Sequence, residues 1–194
     1  MIAAIVLAAG KSERMGRPKA LLQLHGRTFL EHILDAISTS SVAETVVVAG
    51  HHRNEIDEHV SRRVPVIFNP DYERGMITSF QAGIRSLSDG VSGALLFLVD
   101  HPLVDSSTIQ TLIANFSPNR IVLPVFEGRR GHPVLFAVEV LREVLALPAS
   151  EGANIVVRRD PNRIVHVPVT SPGILVDVDT PEDFQKLQNE YESR

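Results

Sequence analysis

With 194 residues, 44% of them hydrophobic and 22% charged, the chain is long enough to bury one sizeable core, so we expect residues 1–194 to form a single domain. A net charge of −4 does not supply the basic field that nucleic-acid binding normally requires, and we therefore expect no nucleic-acid partner. The absence of cysteine excludes disulfides, thiolate zinc sites and cysteine nucleophiles.

The first element in chain order is an apolar run at residues 2–9. It is too short to span a bilayer, and it has neither a basic segment before it nor a distinct cleavage region after it. We therefore interpret it as a buried strand, expect Met1 to begin the mature chain, and expect a cytoplasmic protein with no membrane partner.

Short β-branched segments recur along the chain and are separated mostly by stretches with helical spacing. They lie at residues 2–7, 45–49, 64–68, 94–99, 120–125, 164–167 and 174–176. This alternation predicts an α/β fold with a mainly parallel sheet covered on both faces. A turn at residues 127–133, between 120–125 and a further strand at 133–136, predicts one antiparallel pair within it.

The local sequence predicts two helix starts. Thr28 followed by Glu31 fits a capping box, in which each residue's side chain bonds the other's backbone amide. Residues 180–183, Thr-Pro-Glu-Asp, combine a cap, a first-turn proline and two acids. The second start places Asp177 and Asp179 at the end of the predicted strand 174–176, just before a helix.

Gly-Lys-Ser at residues 10–12 raises the question of a Walker phosphate loop. Such a loop needs a glycine five residues earlier, where this chain has Ile5 inside the predicted strand. A dinucleotide fingerprint is missing as well, because Gly10 and Gly16 do not belong to a close glycine triplet. The sequence therefore indicates a different kind of loop.

What remains is a strand that ends in small residues at 8–10, followed by Arg14 and Lys19. Small side chains allow backbone amides to approach a base and a phosphate, and two cations can meet a triphosphate. From the residues alone, a solvated loop with ordinary surface cations is an equal alternative.

Five blocks in the same order along the chain resemble the MobA-like nucleotidyltransferases, and within them most of all the molybdenum cofactor cytidylyltransferases. The blocks are Leu7-Ala8-Ala9-Gly10 with Ser12, Arg14-Met15-Gly16, Pro18-Lys19 and Leu21-Leu22; Asn69-Pro70 with Gly75 and Thr78-Ser79; Val99 to Val104; Arg130 to Phe136; and Asp177 to Asp183. The resemblance implies one nucleotidyltransferase domain over residues 1–194. Its implied fold is a three-layer α/β/α sandwich with a Rossmann-like sheet, of the nucleotide-diphospho-sugar transferase type.

The resemblance also assigns roles to individual positions. It implies that Arg14, Lys19 and Asp100 are catalytic. It implies that the nucleotide is bound by Leu7, Ala8, Ala9, Gly10, Arg14, Lys19, Thr78 and Ser79, although Thr78 or Ser79 could instead be a plain helix cap. Guanylyl-transferring relatives generally have Gly-Gly where this chain has Ala9-Gly10, which favours CTP over GTP.

Two acids are predicted to share a metal ion. Asp100 follows one strand and Asp179 another strand-like segment, and the carboxyl ends of strands face one crevice in an open α/β sheet. Mg²⁺ commonly combines one or two carboxylates with substrate phosphates and water. We rank Asp179 before Asp177 as the second ligand and leave Asp177 undecided.

The acceptor site is implied at His101, Arg130, His132 and Gly152. His101 stands where the cytidylyltransferases usually carry glutamine, and Asn154, after Gly152, replaces a usual arginine. Arg130 and His132 could bind an acceptor phosphate, while ordinary turn and surface roles are equally open. These two departures from the family pattern affect the prediction of the acceptor and leave the prediction of the metal site unchanged.

The resemblance implies Mg²⁺-dependent transfer of CMP from CTP, or from another NTP, to a phosphate-bearing small molecule such as molybdopterin, with release of pyrophosphate. A finished cofactor could then pass to a molybdoenzyme or chaperone partner. Two alternatives stay open: nucleotidyl transfer to a sugar or alditol phosphate, and a non-catalytic nucleotide-binding or cofactor-binding chaperone.

Overall fold

The computed structural model describes the backbone of residues 1–192 and the side chains of residues 1–190. The strands are β1 Ile2–Ala8, β2 Gln23–Leu24, β3 Arg27–Thr28, β4 Glu44–Ala49, β5 Val66–Phe68, β6 Gly93–Leu98, β7 Ile121–Phe126, β8 Arg129–Arg130, β9 Val134–Ala137 and β10 Ile164–Pro168. The helices are α1 Phe29–Ser38, α2 Arg53–Val60, α3 Met76–Ser86, α4 Ser106–Ala114, α5 Val138–Leu145, α6 Asn154–Arg159 and α7 Pro181–Glu192. Within these described residues, no helix combines the length and apolar character needed to cross a membrane.

The main sheet has the strand order β10-β7-β9-β6-β1-β4-β5, with the short β8 paired to β7. β1 lies between β6 and β4 and is parallel to both. β9 runs antiparallel to its neighbours β6 and β7, with Ile121 opposite Phe136. The predicted mainly parallel sheet and the predicted antiparallel pair of 120–125 with 133–136 are confirmed, and β6–β9 and β7–β8 are also antiparallel.

Two apolar layers cover the two faces of this sheet. Successive side chains of a strand point to opposite faces, and β1 shows the consequence. Ala4 and Val6 belong to one buried cluster, which is closed by residues of α1, α2 and α4. Ala3 and Ile5 belong to a second cluster, closed by residues of α3, α5 and α6. The three-layer α/β/α architecture is therefore confirmed.

A third, smaller cluster ties the end of the chain to its beginning. Phe184 and Leu187 of α7 pack with Met15, Leu22 and Phe29. The rings of Phe29 and Phe184 meet edge to face with centroids 5.8 Å apart. This packing holds the segment before α7 beside the loop that follows β1.

The predicted capping box at Thr28 and the predicted cap at Thr180 are both present. The Thr28 hydroxyl accepts a hydrogen bond from the Glu31 amide at 3.2 Å, and the Thr28 amide donates to the Glu31 carboxylate at 2.7 Å. Thr180 and Asp183 exchange the same two bonds at 3.2 and 2.8 Å. The local signals therefore determined these two helix starts.

The predicted strand at 174–176 is wrong. Residues Pro172–Leu175 form a 3-10 turn, whose first residue has no N–H to donate to a sheet. Ser171 caps this turn by accepting from the Gly173 amide, and the Ile174 carbonyl accepts from the His132 amide at 3.1 Å. Asp177 and Asp179 therefore follow a turn rather than a strand.

A substitution at Gly131 tests whether the 3-10 turn Pro172–Leu175 packs against this residue. A Cβ at position 131 would overlap the backbone of Ile174, so we expect Gly131→Ala to lower the free energy of unfolding by about 1–3 kcal/mol in denaturant titrations. Gly10→Ala is the control, because a Cβ there meets nothing within 4 Å. Equal stability of the two variants would contradict the described packing.

Candidate active site

The site lies where the carboxyl ends of β1 and β6 meet. Leu7 is paired in register with Leu98, and the Val99 amide donates to the Leu7 carbonyl at 3.2 Å. Because the two strands are parallel neighbours, the residues that follow them emerge at the same edge of the sheet. Asp100 therefore stands beside the loop that begins at Ala9.

A cavity of about 580 Å³ opens at this edge. Of the predicted site residues, Leu7, Ala8, Ala9, Gly10, Arg14, Lys19, Ser79, Asp100 and Asp179 line it. The lining residues that were not predicted as site residues include His52, Tyr72, Glu73 and Met76. Tyr72, Glu73 and Met76 lie between Asn69-Pro70 and Thr78-Ser79, so that block was the available signal for three of the four.

The loop after β1 is held in shape by Ser12. Ser12 has a left-handed backbone conformation with φ of 54°, and its carbonyl accepts from the amides of Met15 and Gly16 at 3.0 and 3.2 Å. Its hydroxyl oxygen accepts from the Lys19 amide at 3.1 Å. These bonds turn the loop back so that the side chain of Lys19 faces Asp100.

Lys19 joins the two predicted acids. Its Nζ lies 2.5 Å from Asp179 Oδ1 and 3.5 Å from Asp100 Oδ2, and only 14% of its side chain is exposed. Arg14 contacts the other Asp179 oxygen at 3.0 Å. The hydrogen bond from Lys19, opposed by partial burial, lowers the pKa of Asp179. Residues distant in sequence thus converge, as the sequence predicted.

Val178 sets the positions of the acids on either side of it. It is 1% exposed within the third cluster, and its amide donates to the Asp100 carbonyl at 3.0 Å. This backbone bond brings both Asp177 and Asp179 to Asp100. The structure therefore gathers three carboxylates, including the one that the sequence left undecided.

Asp177 lies close to Asp100 and His101. Ligand atoms of Asp100, His101 and Asp177 all lie within 4.8 Å of one another, and His101 Nε2 is 4.0 Å from Asp100 Oδ1. Partial desolvation of its carboxyl group, followed by repulsion from Asp100, raises the pKa of Asp177, although the residue as a whole is exposed. Two carboxylates suit a divalent cation, so the side chains of this region fit a metal ion.

His132 packs against His101, with ring centroids 4.9 Å apart. Burial, aided by repulsion from His101, lowers the pKa of His132 to about 4, so its ring is neutral near pH 7. These two predicted acceptor residues thus lie together beside Asp100. All four predicted acceptor residues lie outside the cavity lining. Arg130 is exposed on β8, and Gly152 precedes α6.

Thr78 and Ser79 lie in the first turn of α3 and are buried. Asn69 Nδ2 donates to the hydroxyl oxygens of both residues at 2.9 Å. The helix begins at Met76 with Gly75 in the cap position, so the plain-cap alternative is wrong for both residues. Ser79 lines the cavity, whereas Thr78 lies behind the lining and is hydrogen-bonded to Asn69.

Lys11 and Glu73 form an ion pair of 2.7 Å between two lining segments of the cavity. His52 Nε2 lies 3.1 Å from the Lys11 carbonyl oxygen, and His51 Nδ1 lies 3.1 Å from the Tyr72 hydroxyl. The loop after β1 is thereby fastened to the start of α2 and to the turn before α3.

An α/β/α sandwich with a cavity at the carboxyl edge of its parallel strands, lined by a small-residue loop, a lysine and two carboxylates, has the architecture of a nucleotide-binding enzyme. Residues 4–164 match the model of the MobA-like NTP transferase domain. The chain belongs to this family of nucleotidyltransferases.

The chain is similar to relatives whose names give different activities. The chain is 27% identical over 196 residues to the nicotine blue oxidoreductase of Paenarthrobacter nicotinovorans, with 96% of each chain covered. It is also 27% identical over 190 residues to the molybdenum cofactor cytidylyltransferase of Escherichia coli (strain K12), covering 96% of this chain and 95% of that one.

Among solved structures, a nucleotidyl transferase from Methanothermobacter thermautotroptrophicus superposes with a TM-score of 0.85 at 25% identity. The match covers 100% of this chain and 98% of the other.

The pKa shifts of Asp177 and Asp179, the acids on either side of Val178, predict opposite effects of pH on the free energy of unfolding. The pKa of Asp177 is raised from its ordinary value of 3.8, so its ionisation costs stability as the pH rises above 3.8. We expect Asp177→Asn to be more stable than the native chain at pH 7 in the presence of EDTA, with the gap narrowing toward pH 3.8.

Asp179→Asn is the matched control. The lowered pKa of Asp179 means that its charge stabilises the fold above its ordinary value of 3.8. This variant should be less stable than the native chain at pH 7, measured by the same denaturant titrations. Shifts of the same sign in both variants would contradict the described electrostatics.

Proposed function

We propose that this protein transfers CMP from CTP to a phosphate-bearing acceptor, with molybdopterin as the first candidate, and releases pyrophosphate. The observation that carries the proposal is the convergence of Lys19, Asp100 and Asp179 at a cavity lined by the small-residue loop. The relative named molybdenum cofactor cytidylyltransferase supports the nucleotide and the acceptor.

Residues 7–10 form the proposed platform for the nucleotide. Leu7, Ala8 and Ala9 are each at most 6% exposed and line the cavity, so a base can approach the backbone there without meeting a large side chain. Arg14 and Lys19 supply positive charge at the same cavity. Their present carboxylate partner, Asp179, holds both cations in position until phosphate oxygens compete for them.

In the proposed reaction an oxygen of the acceptor phosphate attacks the α-phosphorus of CTP. The new P–O bond forms in line with the breaking bond to the β-phosphate oxygen, whose electron pair leaves with pyrophosphate. A phosphate monoester is largely anionic at neutral pH, so no strong base is required. Lys19 and Arg14 act by alignment and by neutralising negative charge, which is worth most in a cavity that excludes water.

Asp100 and Asp179 are the proposed ligands of Mg²⁺. One oxygen of each contacts Lys19 Nζ, so both carboxylates face the same side of the cavity. When bound, Mg²⁺ would supply charge neutralisation and orientation for the phosphates. Lys19 then exchanges its carboxylate contacts for phosphate contacts.

His101, Arg130, His132 and Gly152 are the proposed acceptor residues. His101 and His132 are supported by the contact between their rings beside Asp100. Arg130 lies one residue before Gly131 and two before His132, and its exposed side chain can reach toward an anionic ligand. Gly152 is supported by the sequence resemblance alone.

The relative named nicotine blue oxidoreductase favours a second candidate function, hydride transfer from a nicotinamide nucleotide bound in the same cavity. The loop lacks the glycine triplet of a dinucleotide site, which favours nucleotidyl transfer. Oxidation of NADH or NADPH in the presence of an oxidised acceptor, without pyrophosphate release, would identify the redox candidate.

Pyrophosphate release tests the proposal directly. The protein is incubated with Mg²⁺ and CTP, GTP, UTP or ATP, each combined with molybdopterin, a sugar phosphate or an alditol phosphate. We expect the fastest release from CTP with molybdopterin. Binding of CTP without release for any pair would support the non-catalytic alternative and overturn the proposal.

Lys19→Ala should lower kcat/KM for CTP by about 100-fold or more, because it removes a positive group facing the phosphates. Lys186→Ala is the matched control, since Lys186 is 78% exposed on α7. Circular dichroism checks that both variants are folded. A folded Lys19→Ala variant with the activity of the control would exclude Lys19 from catalysis.

Ala9→Gly tests the choice of base. Removing one methyl group from the cavity wall widens the space for a purine, and one methyl is worth about 1–3 kcal/mol of discrimination. We expect the kcat/KM ratio of GTP to CTP to rise about tenfold. An unchanged ratio would show that residue 9 does not face the base.

A further inference from the structure

The two oxygens of Asp100 face different surroundings. Oδ2 lies 3.5 Å from Lys19 Nζ and belongs to the proposed phosphate side of the site. Oδ1 is buried and receives no hydrogen bond from any described residue. A buried carboxylate oxygen without a donor is costly, so a cation bound beside this oxygen would stabilise it.

Two further ligand groups lie beside Asp100, and one of them, His101, faces that oxygen. His101 Nε2 lies 4.0 Å away, and the three ligand atoms of Asp100, His101 and Asp177 lie within 4.8 Å of one another. Ligands on opposite sides of a transition-metal ion are about 4 Å apart, since each metal–oxygen or metal–nitrogen bond is about 2.0–2.2 Å long. Small side-chain movements would therefore close the group around an ion.

The backbone and the neighbouring ring hold these ligands in place. The Val178 amide donates to the Asp100 carbonyl, which fixes Asp177 relative to Asp100. The His101 amide donates to the Leu98 carbonyl at 3.0 Å, and the His132 ring packs against the imidazole. Asp177 is exposed, so an ion can reach the group from solvent.

The ligand types decide which ion is favoured. Mg²⁺ takes oxygen ligands and keeps several waters, whereas Mn²⁺, Co²⁺ and Zn²⁺ accept imidazole nitrogen together with carboxylate oxygen. We propose that Asp100, His101 and Asp177 bind a first-row transition-metal dication on the Oδ1 side of Asp100. This position differs from the one proposed for Mg²⁺ between Asp100 and Asp179, and it goes beyond nucleotidyl transfer because binding requires no nucleotide.

Isothermal titration calorimetry with CoCl₂ and with MgCl₂, in the absence of nucleotide, tests the proposal. The native protein should bind Co²⁺ at least tenfold more tightly than Mg²⁺. His101→Gln keeps a polar side chain but removes the imidazole, and it should weaken Co²⁺ binding by about 10–100-fold, as loss of a well-placed group around a metal commonly does. Its Mg²⁺ affinity should change less than about threefold, because Mg²⁺ takes oxygen ligands rather than imidazole nitrogen.

His166→Gln is the matched control, since His166 is exposed on β10 and lies outside the group. It should leave the tightest Co²⁺ affinity unchanged, whereas Asp177→Asn should weaken it like His101→Gln. The visible absorption of bound Co²⁺ should change in His101→Gln and stay the same in His166→Gln. Equal Co²⁺ affinity in the native and His101→Gln proteins, or no preference over Mg²⁺, would overturn the proposal.

The outcome is separate from that of the pyrophosphate assay. Co²⁺ binding that depends on His101, with no pyrophosphate release, would overturn only the proposed function. Pyrophosphate release with Co²⁺ affinity indifferent to His101 would overturn only the metal inference.

Discussion

The site depends on the ammonium group of Lys19, which is held between Asp100 and Asp179. Charges that are largely removed from water are stable only when they are paired, so each member of this group constrains the other two. The ammonium group also offsets the repulsion between the carboxylates of Asp100 and Asp179. Because anionic phosphate oxygens can replace carboxylates as partners of Lys19, the same arrangement keeps the cation in place for a nucleotide.

The group can form because of the order of the strands. β1 and β6 are parallel neighbours, so the loop carrying Lys19 and the residue Asp100 leave the sheet at the same edge. Asp179 arrives from far along the chain, and its position depends on the apolar cluster that joins α7 to the loop after β1. Buried apolar contacts thus decide where a charged group meets its partners.

Asp100 divides the site into two chemical environments. Its Oδ2 faces Lys19, which is proposed to meet phosphates, and its Oδ1 faces His101, with Asp177 close to both residues. The chain is similar over nearly its whole length to relatives named as a cytidylyltransferase and as an oxidoreductase, each at 27% identity. Such a fold does not by itself determine the reaction, which depends on the side chains placed at this edge of the sheet.

The sequence by itself determined the alternation of strands and helices, the antiparallel interruption, and the helix starts at Thr28 and Thr180, because these features depend on local periodicity and capping. The resemblance of short blocks also predicted Lys19 and Asp100 as site residues, and the structure places their side chains together. The assignment of strand 174–176 failed because its apolar residues look like a strand, while the preceding Pro172 and the docking onto residues 131–132 produce a turn.

Only the tertiary structure decided the rest. It placed Asp177 with Asp100 and His101, since a bond from the Val178 amide to a carbonyl 78 positions earlier has no local signature. It also brought His52 and Tyr72 to the cavity, where they contact the loop after β1 and His51. Local sequence preferences set the elements, whereas strand order and apolar packing set which distant side chains meet.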